Sequence, residues 1–202
     1  LKNRSGKLAI AVDSDEGIDR LALAMQTTSA AIDVFIEIDV GQGRCGVAPG
    51  PAAVALVQRL QGSARLRYAG LHAYHGGAQH LRTVAERRNA IGQAALRVAA
   101  TRDALAQANL APAIITGGGT GTFGLEAASG LWNELQPGSF LFMDADYARN
   151  ERDNAQPAFE QALFVKSQVI SVQDGHAVCD AGCKSIALDS GPPLVHALPG
   201  QP

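Results

Sequence analysis

Short apolar runs alternate with stretches of helical period along the first two thirds of the chain. Lys7 to Val12 (KLAIAV) and Val34 to Val40 (VFIEIDV) read as strands, the second with acids at alternate positions 37 and 39. Between them Ile18, Leu21, Ala22, Met25 and Ser29 recur at helical spacing, behind a cap at Ser14 or Asp15. The unit then repeats: Ala52 to Leu60 predicts a helix, Leu66 to Tyr74 a strand, and residues from about Gln79 to Ala108 a long helix. On that helix Leu81, Val84, Ala85, Ile91, Ala95, Val98 and Leu105 form the apolar face, and Arg82, Glu86, Arg87 and Arg88 the solvated one. Ala113 to Thr116 and Ser139 to Asp144 (SFLFMD) add two more strands. Five strands alternating with helices predict an α/β domain with a parallel sheet.

After Tyr147 the pattern changes. Residues 148–156 (ARNERDNAQ) are polar, and the text beyond them has turn residues but no helical period. Leu163 to Val172, His176 to Asp180 and Lys184 to Leu188 predict strands of an antiparallel β piece. The division falls within 148–158, giving an α/β unit over 1–150 and the start of a β domain over 158–202.

Composition narrows the classes. At 202 residues and 47% hydrophobic content there is enough chain for one sizeable core. Seventeen Lys and Arg against 19 Asp and Glu give a net charge of −2, and no basic run or interleaved aromatic stripe offers a nucleic-acid surface. No apolar stretch approaches the roughly 20 residues of a membrane helix, and no signal-peptide pattern is visible. Cys45, Cys179 and Cys183 are an odd, scattered set, which fits a reducing cytoplasm better than a disulfide framework, and Cys179 and Cys183 are expected as buried thiols. Cys179 and Cys183 are four apart, with no second Cys or His pair to complete a zinc pattern. The chain opens at Leu1 and stops in Pro- and Gly-rich text, so a fragment is expected.

The chemistry gathers where strands end. After the second strand comes Gly41-Gln42-Gly43-Arg44-Cys45-Gly46; after the third, Tyr74-His75-Gly76-Gly77; after the fourth, Gly117 to Thr122 (GGGTGT); after the fifth, Asp144-Ala145-Asp146-Tyr147. Parallel α/β domains build their sites at the carboxyl ends of strands, so four such segments predict one shared site. Each also has a plainer reading, as turn glycines, a surface ion pair at Arg44, or hydrogen-bonded structural His75 and His80.

The run at 117–122 carries the most information. Four glycines and two threonines let backbone amides converge on an anion, so a phosphate is the first candidate. Gly119, Gly121 and Gly124 also satisfy the dinucleotide pattern G-x-G-x-x-G, with Asp144 and Asp146 about 20 residues on. Against that pattern, the following helix would end at Ser129-Gly130, too short for a crossover, and the loop sits in the fourth unit rather than the first. No Gly-Lys-Ser/Thr follows, so a nucleotide-triphosphate loop is excluded. A cofactor with a single phosphate fits best.

Four segments together resemble a known family: FIEIDVGQGRCGV (35–47), GLHAYHGGAQH (70–80), GGGTGTFGLEAASGLWNELQPGSFLFMDADY (117–147) and AVCDAGCKSIALDSGPPLV (177–195). They are similar to the metal-activated, pyridoxal-phosphate-dependent D-threonine aldolase group, close to 3-hydroxy-D-aspartate aldolase, within the alanine-racemase-like fold. The resemblance implies a partial PLP-binding (β/α)8 TIM barrel followed by part of an antiparallel β domain, in a homodimer. It implies Arg44 near the phenolic oxygen of pyridoxal 5'-phosphate, Tyr74 beside the pyridine ring, and Gly119, Thr120 and Gly121 on the phosphate. Gly138 and Ser139 would lie on the phosphate's other side, Gln136 at the ring nitrogen and Tyr147 in the same site.

The same resemblance implies a Schiff-base lysine upstream of Lys7, which Lys2, Lys7, Lys166 and Lys184 do not match. It also implies a His-x-Cys metal pair beyond Pro202 for a divalent ion (Mn, Mg or Zn), so the fragment alone would be inactive. The expected reaction is retro-aldol cleavage of a D-3-hydroxy amino acid, D-threonine or 3-hydroxy-D-aspartate, to glycine and an aldehyde. Its rivals are a D-serine or 3-hydroxy-D-aspartate dehydratase and a noncatalytic PLP-binding protein, the latter disfavoured by the segment from Phe159 to Val195.

Overall fold

The computed structural model describes residues 7–196. Five parallel strands form one sheet: β1 (Ala9–Val12), β2 (Ile32–Glu37), β3 (Leu66–His72), β4 (Ile114–Gly117) and β5 (Glu134–Leu135). Their order in the sheet is their order in the chain. That is the winding of a (β/α) barrel sector; a doubly wound dinucleotide sheet reverses direction at its centre.

Helices α1 (Asp15–Met25), α2 (Pro51–Gln61) and α3 (Val84–Gln107) connect the first four strands. Each start has a local cause. Ser14 caps α1, its hydroxyl accepting from the Gly17 amide. Pro51 occupies the first turn of α2, and Thr83 with Glu86 closes a capping box on α3. The core lies between these helices and one face of the sheet. Val34, Ile36, Leu71 and Ile115 meet Ile18, Val57, Leu60 and Val98 there, all nearly or fully buried. Since parallel partners share a face, the other face carries the row Glu37–His72–Thr116 in register across β2, β3 and β4.

The expected helix over 79–108 is two elements. A 3₁₀ turn (Gly76–His80) precedes α3, and the chain is extended at Leu81 between them. Arg87, expected on the solvated face, is 4% exposed. Its guanidinium donates to the carbonyls of Leu81, Arg82 and Glu151, which satisfies it without solvent.

The expected strand at 139–144 is instead a 3₁₀ turn (Ser139–Phe142) followed by α5 (Ala145–Ala148). Leu141 and Phe142 are more than 60% exposed, so their hydrophobicity does not report a buried strand. The fifth strand is β5, two residues fixed by pairing with Thr116 and Gly117.

Of the antiparallel piece, β6 (Val169–Gln173) and β7 (His176–Cys179) form a hairpin. Residues 163–168 join no ladder, and residues 184–188 are a turn without strand pairing. All three cysteines are exposed, which corrects the burial expected of Cys179 and Cys183. With little of the β piece buried, Cys179 and Cys183 have no core to enter. Among the described residues no helix is long and apolar enough to cross a membrane.

Candidate functional site

Three of the four segments singled out for chemistry follow the carboxyl ends of β2, β3 and β4; the fourth, Asp144 to Tyr147, follows the 3₁₀ turn at Ser139–Phe142 instead of a strand. The 41–46 loop is pinned by three contacts: Asp39 Oδ1 accepts from the Gly41 and Gly43 amides, and Asp13 Oδ2 accepts from Gly46. Gly46 has φ +102, and a Cβ there would lie 2.5 Å from the Asp39 nitrogen, so only glycine closes this turn. Arg44 projects from the loop with its guanidinium 3.8 Å from Glu37. Glu37 in turn lies 3.5 Å from His72 Nδ1, which has no hydrogen-bond partner among the described residues.

Tyr74 stands two residues further along, its ring 6.4 Å from that of His72. Its hydroxyl presses on the glycine run: a Cβ at Gly119 would lie 2.7 Å from it. Burial raises the Tyr74 pKa first, the neighbouring Tyr147 adds to this, and Arg44 opposes it, so the phenol keeps its proton at neutral pH. Burial lowers the pKa of His75, whose Nδ1 accepts from the Ala78 amide. The neutral ring therefore carries its proton on Nε2.

The glycine run leaves β4 and turns back through Thr122 into α4 (Phe123–Ser129). The Thr122 and Phe123 amides donate to the Gly119 carbonyl, and the Gly121 amide to Gln79 Oε1. The amides of Gly118, Gly119 and Thr120 have no hydrogen-bond partner among the described residues. Three adjacent unpaired donors beside a phenol are a ready anion cradle.

The turn at Gly138 closes the other side. Phe140 donates its amide to Thr120 Oγ1, which brings Gly138 and Ser139 against the loop. Gln136 is held by its own amide on the Gly117 and Gly118 carbonyls, and its Nε2 donates to Thr116 Oγ1, above the Glu37–His72–Thr116 row. Tyr147 stacks 5.2 Å from His80, itself 2.7 Å from Asp146. Arg82, at 2.5 Å, first and then His80 hold the Asp146 carboxyl below the usual range. Of the residues singled out, Thr120, Gly121 and Tyr147 line one cavity, Tyr74 lies against Gly119, and Gln136 reaches Thr116. Lys7, by contrast, precedes β1 at the opposite end of the sheet.

Three residues escaped the sequence reading. Gln79 is 1% exposed; its Nε2 donates to the His75 carbonyl at 3.1 Å and to Thr122 Oγ1 at 2.8 Å. Thr122 donates at 2.8 Å to Glu126, a fully buried acid whose other oxygen has no partner among the described residues. Gln79 and Glu126 lie inside the motifs quoted above, but nothing in their spacing separates them from helix-surface residues. The third, Trp132, donates its indole N–H to the Ala73 carbonyl and packs beneath Gly117.

The fold and site define a barrel-type α/β domain with a glycine-rich loop at the carboxyl end of β4. The family model described as alanine racemase, N-terminal domain, matches residues 2–146, and the chain belongs to that family. It is 42% identical over 198 residues to a D-threonine aldolase of Arthrobacter sp, covering 98% of this chain and 52% of that protein. It is 37% identical over 201 residues to a 3-hydroxy-D-aspartate aldolase of Paracoccus denitrificans (strain Pd 1222), covering 97% and 52%. The crystal structure of D-threonine aldolase from Filomicrobium marinum superposes with a TM-score of 0.88 at 44% identity, covering 92% of this chain and 50% of that one. The chain spans about half the length of the curated relatives it matches.

Proposed function

We propose that the protein containing this chain is a pyridoxal-phosphate-dependent aldolase that cleaves D-3-hydroxy amino acids, such as D-threonine or 3-hydroxy-D-aspartate, to glycine and an aldehyde. The observation that carries this reading is the glycine cradle, with three amides lacking partners among the described residues beside a protonated Tyr74, in a chain similar to aldolases along nearly its whole length. These residues fit a phosphate: the amides supply neutral donors, and any side chain at Gly119 would fill the space against Tyr74.

When bound, the cofactor supplies an electron sink for the pair released as the substrate's Cα–Cβ bond breaks. The chain's own residues set the stage for that event. Gly118, Gly119 and Thr120 would hold the phosphate through their amides, in place of the Gly121 amide expected there, which Gln79 Oε1 takes, and Gly138 and Ser139 would close over it. Arg44 offers a permanent cation to the phenolic oxygen, while Glu37 restrains its guanidinium. Tyr74 keeps its proton and acts as a donor beside the ring. Gln136, neutral and fixed to Thr116, leaves the ring nitrogen without a carboxylate partner. Among the described residues no three His, Cys, Asp or Glu side chains converge as a metal site.

The test is product analysis on the full-length protein loaded with pyridoxal 5'-phosphate. D-Threonine should yield glycine and acetaldehyde, and 3-hydroxy-D-aspartate glycine and glyoxylate, with the L-isomers uncut. A 2-oxo acid with ammonia would instead identify a dehydratase and overturn the aldolase reading.

A further inference from the structure

We propose that Gln79 is the positioning residue of the glycine cradle: it turns the Gly121 amide inward and leaves the Gly118, Gly119 and Thr120 amides as the donors that face a phosphate. The inference rests on the phosphate reading above and adds what sets the loop's conformation.

The direction of the hydrogen bonds carries the argument. A side-chain amide has a donor end and an acceptor end, and the two cannot be exchanged without pairing like with like. Gln79 Nε2 meets two acceptors, the His75 carbonyl and Thr122 Oγ1. The Thr122 hydroxyl has one proton, and it goes to Glu126 Oε1, so the oxygen turned towards Gln79 can only accept. Gln79 Oε1 is thereby aimed at the Gly121 amide, 2.9 Å away. Flipping the amide would set oxygen against the His75 carbonyl and nitrogen against an N–H.

Burial makes the arrangement costly to undo. Gln79 and Glu126 are each 1% exposed and Thr122 is 0% exposed, so water cannot readily replace a lost partner. One Glu126 oxygen has no partner among the described residues, a position suited to a carboxylic acid that keeps its proton. The Gln79 carbonyl also accepts from Asn150 Nδ2, which ties the same residue to the segment after α5. The backbone leaves no slack either, because a Cβ at Gly121 would lie 2.5 Å from the Gln79 carbonyl oxygen.

The experiment uses the full-length protein with pyridoxal 5'-phosphate and, as the probe lacking phosphate, pyridoxal. Residue-resolved amide exchange in the unaltered protein should find Gly121 protected before any ligand is added and unchanged afterwards. Gly119 and Thr120 should gain protection only with pyridoxal 5'-phosphate. Thr122→Val, which removes the hydroxyl at nearly constant volume, should lower the preference for pyridoxal 5'-phosphate over pyridoxal by about tenfold. Thr122→Ser and Glu126→Gln, which preserve the direction of the bonds, should stay within about twofold of the parent.

A fast-exchanging Gly121 amide, or a folded Thr122→Val variant with the parent's preference, overturns the role of Gln79. If Thr122→Val does not fold, the exchange result on the unaltered protein decides alone. A parent that binds the two compounds equally overturns the phosphate reading itself, whatever Gly121 does.

Discussion

Glu126 carries an ionisable carboxyl into a site where one oxygen has no partner among the described residues, and the consequence is a stability that depends on pH. Burial raises its pKa above the ordinary 4.5, against the opposing pull of the Thr122 hydroxyl. The folded chain therefore keeps a proton that the unfolded chain has released. Stability from this group is complete below 4.5 and is lost as pH rises through the folded value. Glu126→Gln does not titrate and keeps the acceptor that Thr122 uses. Its unfolding free energy relative to the parent should climb from pH 4 upwards and then level off, measured by urea denaturation across pH 4 to 8. A difference that stays flat over that range contradicts the raised pKa.

At the scale of elements, α3 separates residues that hydrophobic periodicity treats alike. Arg87 and Arg88 both read as solvated, yet Arg87 turns under the helix start and donates to three carbonyls, one of them Glu151 at 2.5 Å. Glu151 returns the link by accepting from the Val84 amide, so the segment after α5 is fastened to the first turn of α3. Arg88 instead points a largely exposed side chain to Asp153, 3.0 Å away. Arg87→Met should cost about 2–4 kcal/mol, because it strands buried carbonyls. Arg88→Ala should leave the denaturation midpoint almost where it was. Equal effects would mean that Arg87 is not the fastening. The helix start at Ser14 was readable because capping chemistry is local, whereas helical periodicity puts the start of α3 near Gln79, ahead of its capping box at Thr83. β5 was not readable, because two residues hold no period and their pairing is set by Thr116 and Gly117, nearly 20 positions away.

At the scale of the whole molecule, strand ends were the readable feature and register was not. The glycine run stood out because few conformations need such residues, Arg44, Tyr74 and Tyr147 because they follow expected strands, and Gln136 only through the family resemblance. The row Glu37–His72–Thr116 depends on a register that passes through the bulge opposite Val34 and Phe35, which no spacing in the sequence announces. Register also governs how the chain behaves alone. Among the described residues β1 pairs only with β2, and its far edge offers unpaired backbone groups, with Leu8 52% and Ile10 43% exposed. A parallel edge of that kind is a template for further pairing. Residues 1–202 expressed alone should therefore associate with rising concentration, seen as increasing light-scattering mass. Ile10→Lys, which sets a charge on the edge strand without touching the glycine cradle, should shift the association to higher concentration. A monomer at every concentration would show that the β1 edge is already shielded.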